Sequence, residues 1–224
     1  MTSGEKEINV TLIAAVDDIG NHMPPMLIFP RVFFKDHMLH GATPGSIGDA
    51  NPSAWSNEKL FLHYLQHFIA HVKPREQEKV LLILDNHESH IAVSVINLAK
   101  ENNIVLLTLP PHTSQRTRPL DRNIFGLYKT YYNTIANKWM MTHPGRPVSL
   151  YDVAELVGKA FAKAFIPANI VKGFEKTGIW PVNENIFGDH EYLSSYVIQN
   201  QKRILIRHLA YQALNYMQIY QHPT

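Results

Sequence analysis

The segment that most constrains the fold is the unbroken apolar run Val80 to Leu84, closed by the acid Asp85. A continuous Val/Ile/Leu run of five has no polar face to offer water, so it reads as a strand covered on both sides, of the kind found in parallel sheets. A second run, Ile104 to Leu109, follows after the helical stretch Ser89 to Glu101. Strand, crossover helix and strand make a right-handed parallel unit, with both carboxyl ends on one edge. Asp85 therefore emerges where open α/β sheets place their sites, and Asp121, beyond the second run, can converge on it.

Converging carboxylates suit hard divalent cations such as Mg²⁺ or Mn²⁺. A pair of such ions about 3.5 to 4 Å apart clamps both oxygens of a phosphodiester displacement. Turn chemistry offers a competing explanation for the same residues. Asp85-Asn86 fits a strand-to-helix turn, and Asp121 fits a cap for the helix marked by Ile124, Leu127, Tyr128, Tyr131, Ile135 and Trp139.

Several motifs here resemble those of a known family. Leu84 to His90 resembles the second-acid motif of the catalytic domain of pogo/Tigger-like transposases, relatives of the mariner elements. Leu109 to Thr113, followed by Pro119-Leu120-Asp121, resembles the third-acid motif. Val10 to Ala14, Pro24 to Ile28, Phe125-Gly126 with Lys129, and Gly173 to Pro181 agree in order, so the resemblance runs from about Ser3 to about residue 190. It implies an RNase H-like mixed sheet flanked by helices and a DDE-type endonuclease that cleaves and joins DNA strands. In that reading Asp85 and Asp121 are the second and third acids, catalytic and metal-binding through Mg²⁺ or Mn²⁺. Double-stranded DNA is the implied partner, a homodimer is implied by the need to hold two DNA ends, and the implied location is the nucleus, although no nuclear address is legible.

Two departures from the family pattern qualify the reading. The family's first acid lies on a strand upstream of the segment resembled by Ser3-Gly4-Glu5, so the sheet is expected to miss its first strand and the site its third carboxylate. Asp17 and Asp18 do not replace it, because with Ile19, Gly20 and Asn21 they read as a hairpin turn between Val10–Val16 and Met26–Phe29. The second departure is Ser114 to Arg118, where the family often carries a His and a Gln. The added arginines either reinforce phosphate contact or mark drift in a copy no longer selected for cutting. The competing function is thus a truncated or domesticated, non-catalytic nucleic-acid-binding or interaction protein.

A net charge of +2 says little about a nucleic-acid partner, but its distribution says more. Between His112 and Met140, Arg116, Arg118, Arg122, Lys129 and Lys138 face the single acid Asp121, giving the candidate site a positive border. Candidate DNA contacts are His87, His90, Arg116, Arg118, Arg122 and Lys129. His87 and His90 could equally orient Asp85 or serve helix-start hydrogen bonding. The set His63, His67 and His71 has metal-ligand spacing, but Phe61, Tyr64, Leu65, Phe68 and Val72 make the same helix amphipathic, and the histidines read as its polar flank.

Other classes are excluded. Zero cysteines rule out disulfide frameworks, thiol nucleophiles and Cys-based zinc sites. No stretch approaches the roughly 20 apolar residues of a membrane span. Asp85, Ser89 and His90 lack a Gly-x-Ser-x-Gly elbow, and Gly41, Gly45 and Gly48 lack the strand-loop-helix context of a nucleotide loop. No other cofactor is implied.

The expected organisation is an endonuclease core over 1–142 and a helical part with a tail over 143–224. The core reads as strands, a surface loop from about His40 to Ser56, a helix near Asn57 to Val72, then strand, helix, strand and long helix. After the break at His143 to Pro147, Ser149 caps a helix through Phe165, and Pro167 starts a shorter one ending near Gly173. Gly178 to Pro181 is expected to be a buried aromatic turn, and Lys202, Arg203 and Arg207 to share an amphipathic helix with Ile204, Leu205, Leu209 and Leu214.

Overall fold

A computed structural model describes residues 9–110 and 113–187. The amphipathic stretch around Lys202 to Leu214 lies outside the described residues. The chain is α/β, with two small sheets flanked by helices.

The first sheet has the order β1 (Thr11–Ile13), β2 (Met26–Phe29), β3 (Ile47–Ala50). β1 and β2 are antiparallel with Thr11 opposite Ile28 and Ile13 opposite Met26, while β2 and β3 are parallel. The expected hairpin turn is present: the Asp17 carboxylate accepts from both the main-chain and side-chain N–H groups of Asn21, at 2.7 and 2.8 Å. β3 corrects the expected surface loop. Its residues Ile-Gly-Asp-Ala carry no strand pattern, yet Gly48 is buried because the Phe34 ring lies where a Cβ would project.

The second sheet pairs β4 (Val80–Leu84) with β5 (Ile104–Thr108) in parallel, Val80 opposite Ile104 and Leu84 opposite Thr108. The crossover is the expected helix, shortened to α2 (Val93–Glu101) by a preceding 3₁₀ turn at Glu88–His90. The described strands thus form two separate sheets rather than one. α1 (Glu58–Val72) joins them. Asn57 caps it by accepting from Leu60 N at 3.0 Å, and Leu60, Phe61, Tyr64, Leu65 and Phe68 face one apolar cluster shared with Met26 and Ile28 of β2 and Leu84 and Ile104 of the second sheet.

The opposite face of the first sheet is covered by helices after β5. These are α3 (Ser114–Thr117), a π-helical turn at Leu120–Ile124, α4 (Phe125–Thr142), α5 (Leu150–Ala164) and α6 (Pro167–Thr177). α5 begins at a capping box in which Ser149 and Asp152 satisfy each other's end of the first turn. Its Leu150, Val153, Ala154 and Val157 pack on Leu27 and Phe29, while Phe161 and Phe165 stack 3.9 Å apart and close a third cluster with Ile124 and Ile170.

Two further expectations are corrected. α6 does not end at Gly173 but continues to Thr177 and is terminated by Gly178 in the left-handed region, φ 66°. Gly173 is interior because α6 crosses Pro119 there, and a Cβ would come within 3.0 Å of the Pro119 carbonyl. Trp180 is not buried: at 39% exposure it does not pin the helices. Their anchorage comes from Ile170, Gly173 and Thr177 instead.

Candidate active site

Asp85 is the first residue beyond β4, and the ladder runs one step further, with Leu109 N donating to Leu84 O at 2.7 Å. Both carboxyl ends therefore stop together. From there the chain passes through α3 and enters the π turn, which carries Asp121 in its first turn. π turns insert an extra residue and re-aim the side chains around them, a feature frequent at functional sites. Asp121 is no helix cap: no side-chain cap bond occurs there, and its carboxylate points instead at Arg118.

Arg118 is the centre of the arrangement. Its Nε and Nη2 donate to Asp121 Oδ2 and Oδ1 at 2.6 and 3.0 Å, a fork-on-fork pair. The remaining arm, Nη1, donates to Asp85 Oδ2 at 2.5 Å. One guanidinium thus ties together two acids that are 36 residues apart in sequence (121 − 85). The group is sheltered, with side-chain exposures of 27% for Asp85, 25% for Arg118 and 19% for Asp121. Phe125 lies under the guanidinium, 5.9 Å from ring centre to Cζ.

His90 completes the cluster. Its Nδ1 lies 2.7 Å from Asp85 Oδ1 and 3.3 Å from the Asp85 main-chain oxygen. The Phe61 ring, centred 4.1 Å away, fixes the imidazole from the α1 side. The His90 bond holds the Asp85 carboxyl at about 2, well under its ordinary value; burial opposes this and Arg118 adds to it. For Arg118 itself, burial disfavours the charge, but its bonds to Asp121 and Asp85 outweigh that and strengthen its hold on the proton.

The other candidate contacts separate into groups. The His87 side chain is engaged locally: its Nδ1 pairs with Ser89 Oγ at 2.8 Å and accepts from Ser89 N, starting the 3₁₀ turn, and its ring lies 5.5 Å from that of His90. Ser89 is buried, which removes it as an accessible nucleophile. Arg116 lies on α3, and Arg122 and Lys129 lie exposed on the π turn and α4. Lys176 is a basic residue that the sequence did not bring to this border. It reaches Asn123 Oδ1 at 2.7 Å from α6, a contact across 53 residues that no local pattern signals. His63 and His67 are committed elsewhere, to Asp49 Oδ2 at 2.9 Å and the Pro24 carbonyl at 3.0 Å.

As arranged, this donor set does not fit a divalent ion. Only two carboxylates converge, a cation bridges them, and among the described residues no group of three or more His, Cys, Asp or Glu could hold a metal. What the cluster can do is carry a fixed, partly sheltered charge pattern at the open edge of a sheet.

Residues 6–174 match the family model described as DDE superfamily endonuclease. The chain is also 28% identical over 179 residues to a Cochliobolus lunatus protein described as MFS-type transporter clz9. That match takes in 79% of this chain but 19% of the other, so the chain spans about a fifth of that relative's length. No solved structure matches.

Proposed function

Because the chain belongs to the DDE superfamily endonucleases, we propose that it is a transposase-derived domain that binds double-stranded DNA across the carboxyl ends of β4 and β5. Asp85 and Asp121 are the carboxylates of its reaction centre. The observation that supports this is their meeting at one sheet edge, through Arg118, on a segment whose basic border Arg116, Arg122 and Lys129 is joined by Lys176 at Asn123. Such a border neutralises phosphates, while the acids sit where a scissile phosphodiester would have to approach. An intact relative would use a further carboxylate and divalent ions to cleave and join strands. Action on chromosomal DNA would place the protein in the nucleus, and holding two DNA ends suits a homodimer.

The second reading, a domesticated binding protein that does not cut, is favoured by one specific observation: both acids are committed to Arg118. Binding is therefore the part of the function this arrangement supports directly, and cutting depends on that bridge opening. A transport role has weaker support. The transporter name belongs to a protein of which the match takes in 19%, and among the described residues no helix is long and apolar enough to cross a membrane.

The test is salt-dependent binding of a fluorescent duplex. Changing Arg122, Lys129 and Lys176 together to Gln should weaken binding similarly on unrelated sequences and lower the salt slope by about 1 per lost phosphate contact. Unchanged affinity and slope would sink the proposed DNA face.

A further inference from the structure

We propose that Arg118 is a built-in cation that occupies the space between Asp85 and Asp121, so that a divalent ion can bind the pair only by displacing the guanidinium. The proposal rests on the two acids being the reaction centre argued above, and goes beyond that reading by making metal occupancy a competition with one side chain of the chain itself.

The geometry leaves little room for both. Three of the four carboxylate oxygens accept from Arg118, two from Asp121 and one from Asp85, and the fourth, Asp85 Oδ1, faces His90 at 2.7 Å. A hard cation needs six or more oxygens around it and would find three of the four held by Arg118, and only Asp85 Oδ1, buried against His90, without a hydrogen bond. Charge points the same way. Two carboxylates without a cation would repel across a partly sheltered space, whereas the bridge leaves the trio at a net charge of one negative. The competitor is also tethered. Arg118 lies three residues from Asp121 on a turn fixed by Arg122 N bonding Arg118 O at 2.9 Å, so its effective concentration at the acids is on the order of millimolar or more. Phe125 beneath the guanidinium limits its alternatives.

Arg118 also has a use when it leaves. A guanidinium released from two carboxylates is a bidentate phosphate ligand, and Arg116 and Arg122 are its near neighbours along the chain. One residue would then be bound either to the acids or to the nucleic acid, and release to a phosphate would free the acids.

The experiment measures Mn²⁺ binding by the electron paramagnetic resonance of the free ion, without DNA, so that its outcome does not depend on the DNA face. The wild-type chain should bind Mn²⁺ weakly, and Arg118→Gln should bind it roughly tenfold or more tightly. Adding Asp121→Asn to Arg118→Gln should abolish the gain. Equal affinity in wild type and Arg118→Gln would overturn the proposal, as would a gain that survives Asp121→Asn. Circular dichroism confirms that each variant is folded. Should Arg118→Gln fail to fold, the wild-type protein still decides: as Mg²⁺ is raised past roughly the millimolar effective concentration of the side chain, the Asp85 and Asp121 carboxyl resonances should shift only together with release of the Arg118 Nε–H resonance. Carboxyl shifts with the Nε–H unmoved would refute the competition.

Discussion

β2 and β4 are both unbroken apolar runs, Met26 to Phe29 and Val80 to Leu84, yet they end in different surroundings. Every residue of β2 is buried, because Met26 and Ile28 meet the α1 cluster while Leu27 and Phe29 meet α5 on the other side. In β4 only Leu84 is buried. Val80 and Leu82 touch the α1 cluster, whereas Leu81 and Ile83, with Val105 and Leu107 of β5, join none of the three apolar clusters. An apolar run therefore states that two faces can be covered, while the tertiary arrangement decides whether they are. The candidate site sits on the half-covered sheet, and its alignment depends on polar bridges more than on packing.

The sharpest test of that contrast is truncation in β2. Phe29→Ala removes a ring with no exposure, wedged between Phe34 and the α5 residues, and should cost about 3–5 kcal/mol in urea unfolding, since a cavity is left between rigid layers. A loss near 1 kcal/mol would mean that the two sheets do not differ as described.

Next in size is the coupling between α6 and the third-acid segment. Gly173→Ala puts a methyl about 3.0 Å from the Pro119 carbonyl, against main chain that cannot rotate away. The expected cost is about 1–3 kcal/mol, accompanied by a shift in the resonances of Arg118 and Asp121. Stability lost with no change at those residues would break the link between helix packing and site alignment.

Acid stability probes the polar bridges themselves. Asp85 is held down to about 2, first through His90, so its sign is that of a depressed carboxyl: the stabilisation is complete above the unfolded value and is lost as the pH falls through the folded one. Between about pH 4 and pH 2 the protein should lose on the order of 1 to 2 kcal/mol from this group. In Asp85→Asn that part of the acid slope should vanish. An unaltered slope would show that the bridges do not support the second sheet.

How much of this was legible in the sequence follows from the same contrast. Val80 to Leu84 and Ile104 to Thr108 were readable because a continuous apolar run between turn signals has few other uses, and the crossover fixed their parallel pairing. β3 was not, because Ile47 to Ala50 holds a glycine and an aspartate, and it forms only since Phe34 covers Gly48 and β2 supplies the hydrogen bonds. Gly173 looked like a helix end, the usual meaning of glycine there, until its close approach to Pro119 gave it another. The convergence of Asp85 and Asp121 at one sheet edge was legible from their position after apolar runs and from motif order. The direction in which Arg118 points was not, since its bond to Asp85 spans 33 residues and leaves no local pattern.

The smallest effect is expected on the open face of the second sheet. Ile83→Thr keeps the β-branched shape that suits a strand and changes a methyl-bearing arm for a hydroxyl on a partly exposed position outside the apolar clusters. With water already able to reach that face, the transfer cost is incomplete, and the loss should stay under about 1 kcal/mol. The same exchange at Ile28, which is fully buried in β2, would strand a hydroxyl beside α1 and should cost several times more, about 2–3 kcal/mol. Thermal melting of the two variants side by side reads the ratio directly. Equal losses would mean that the second sheet is as enclosed as the first.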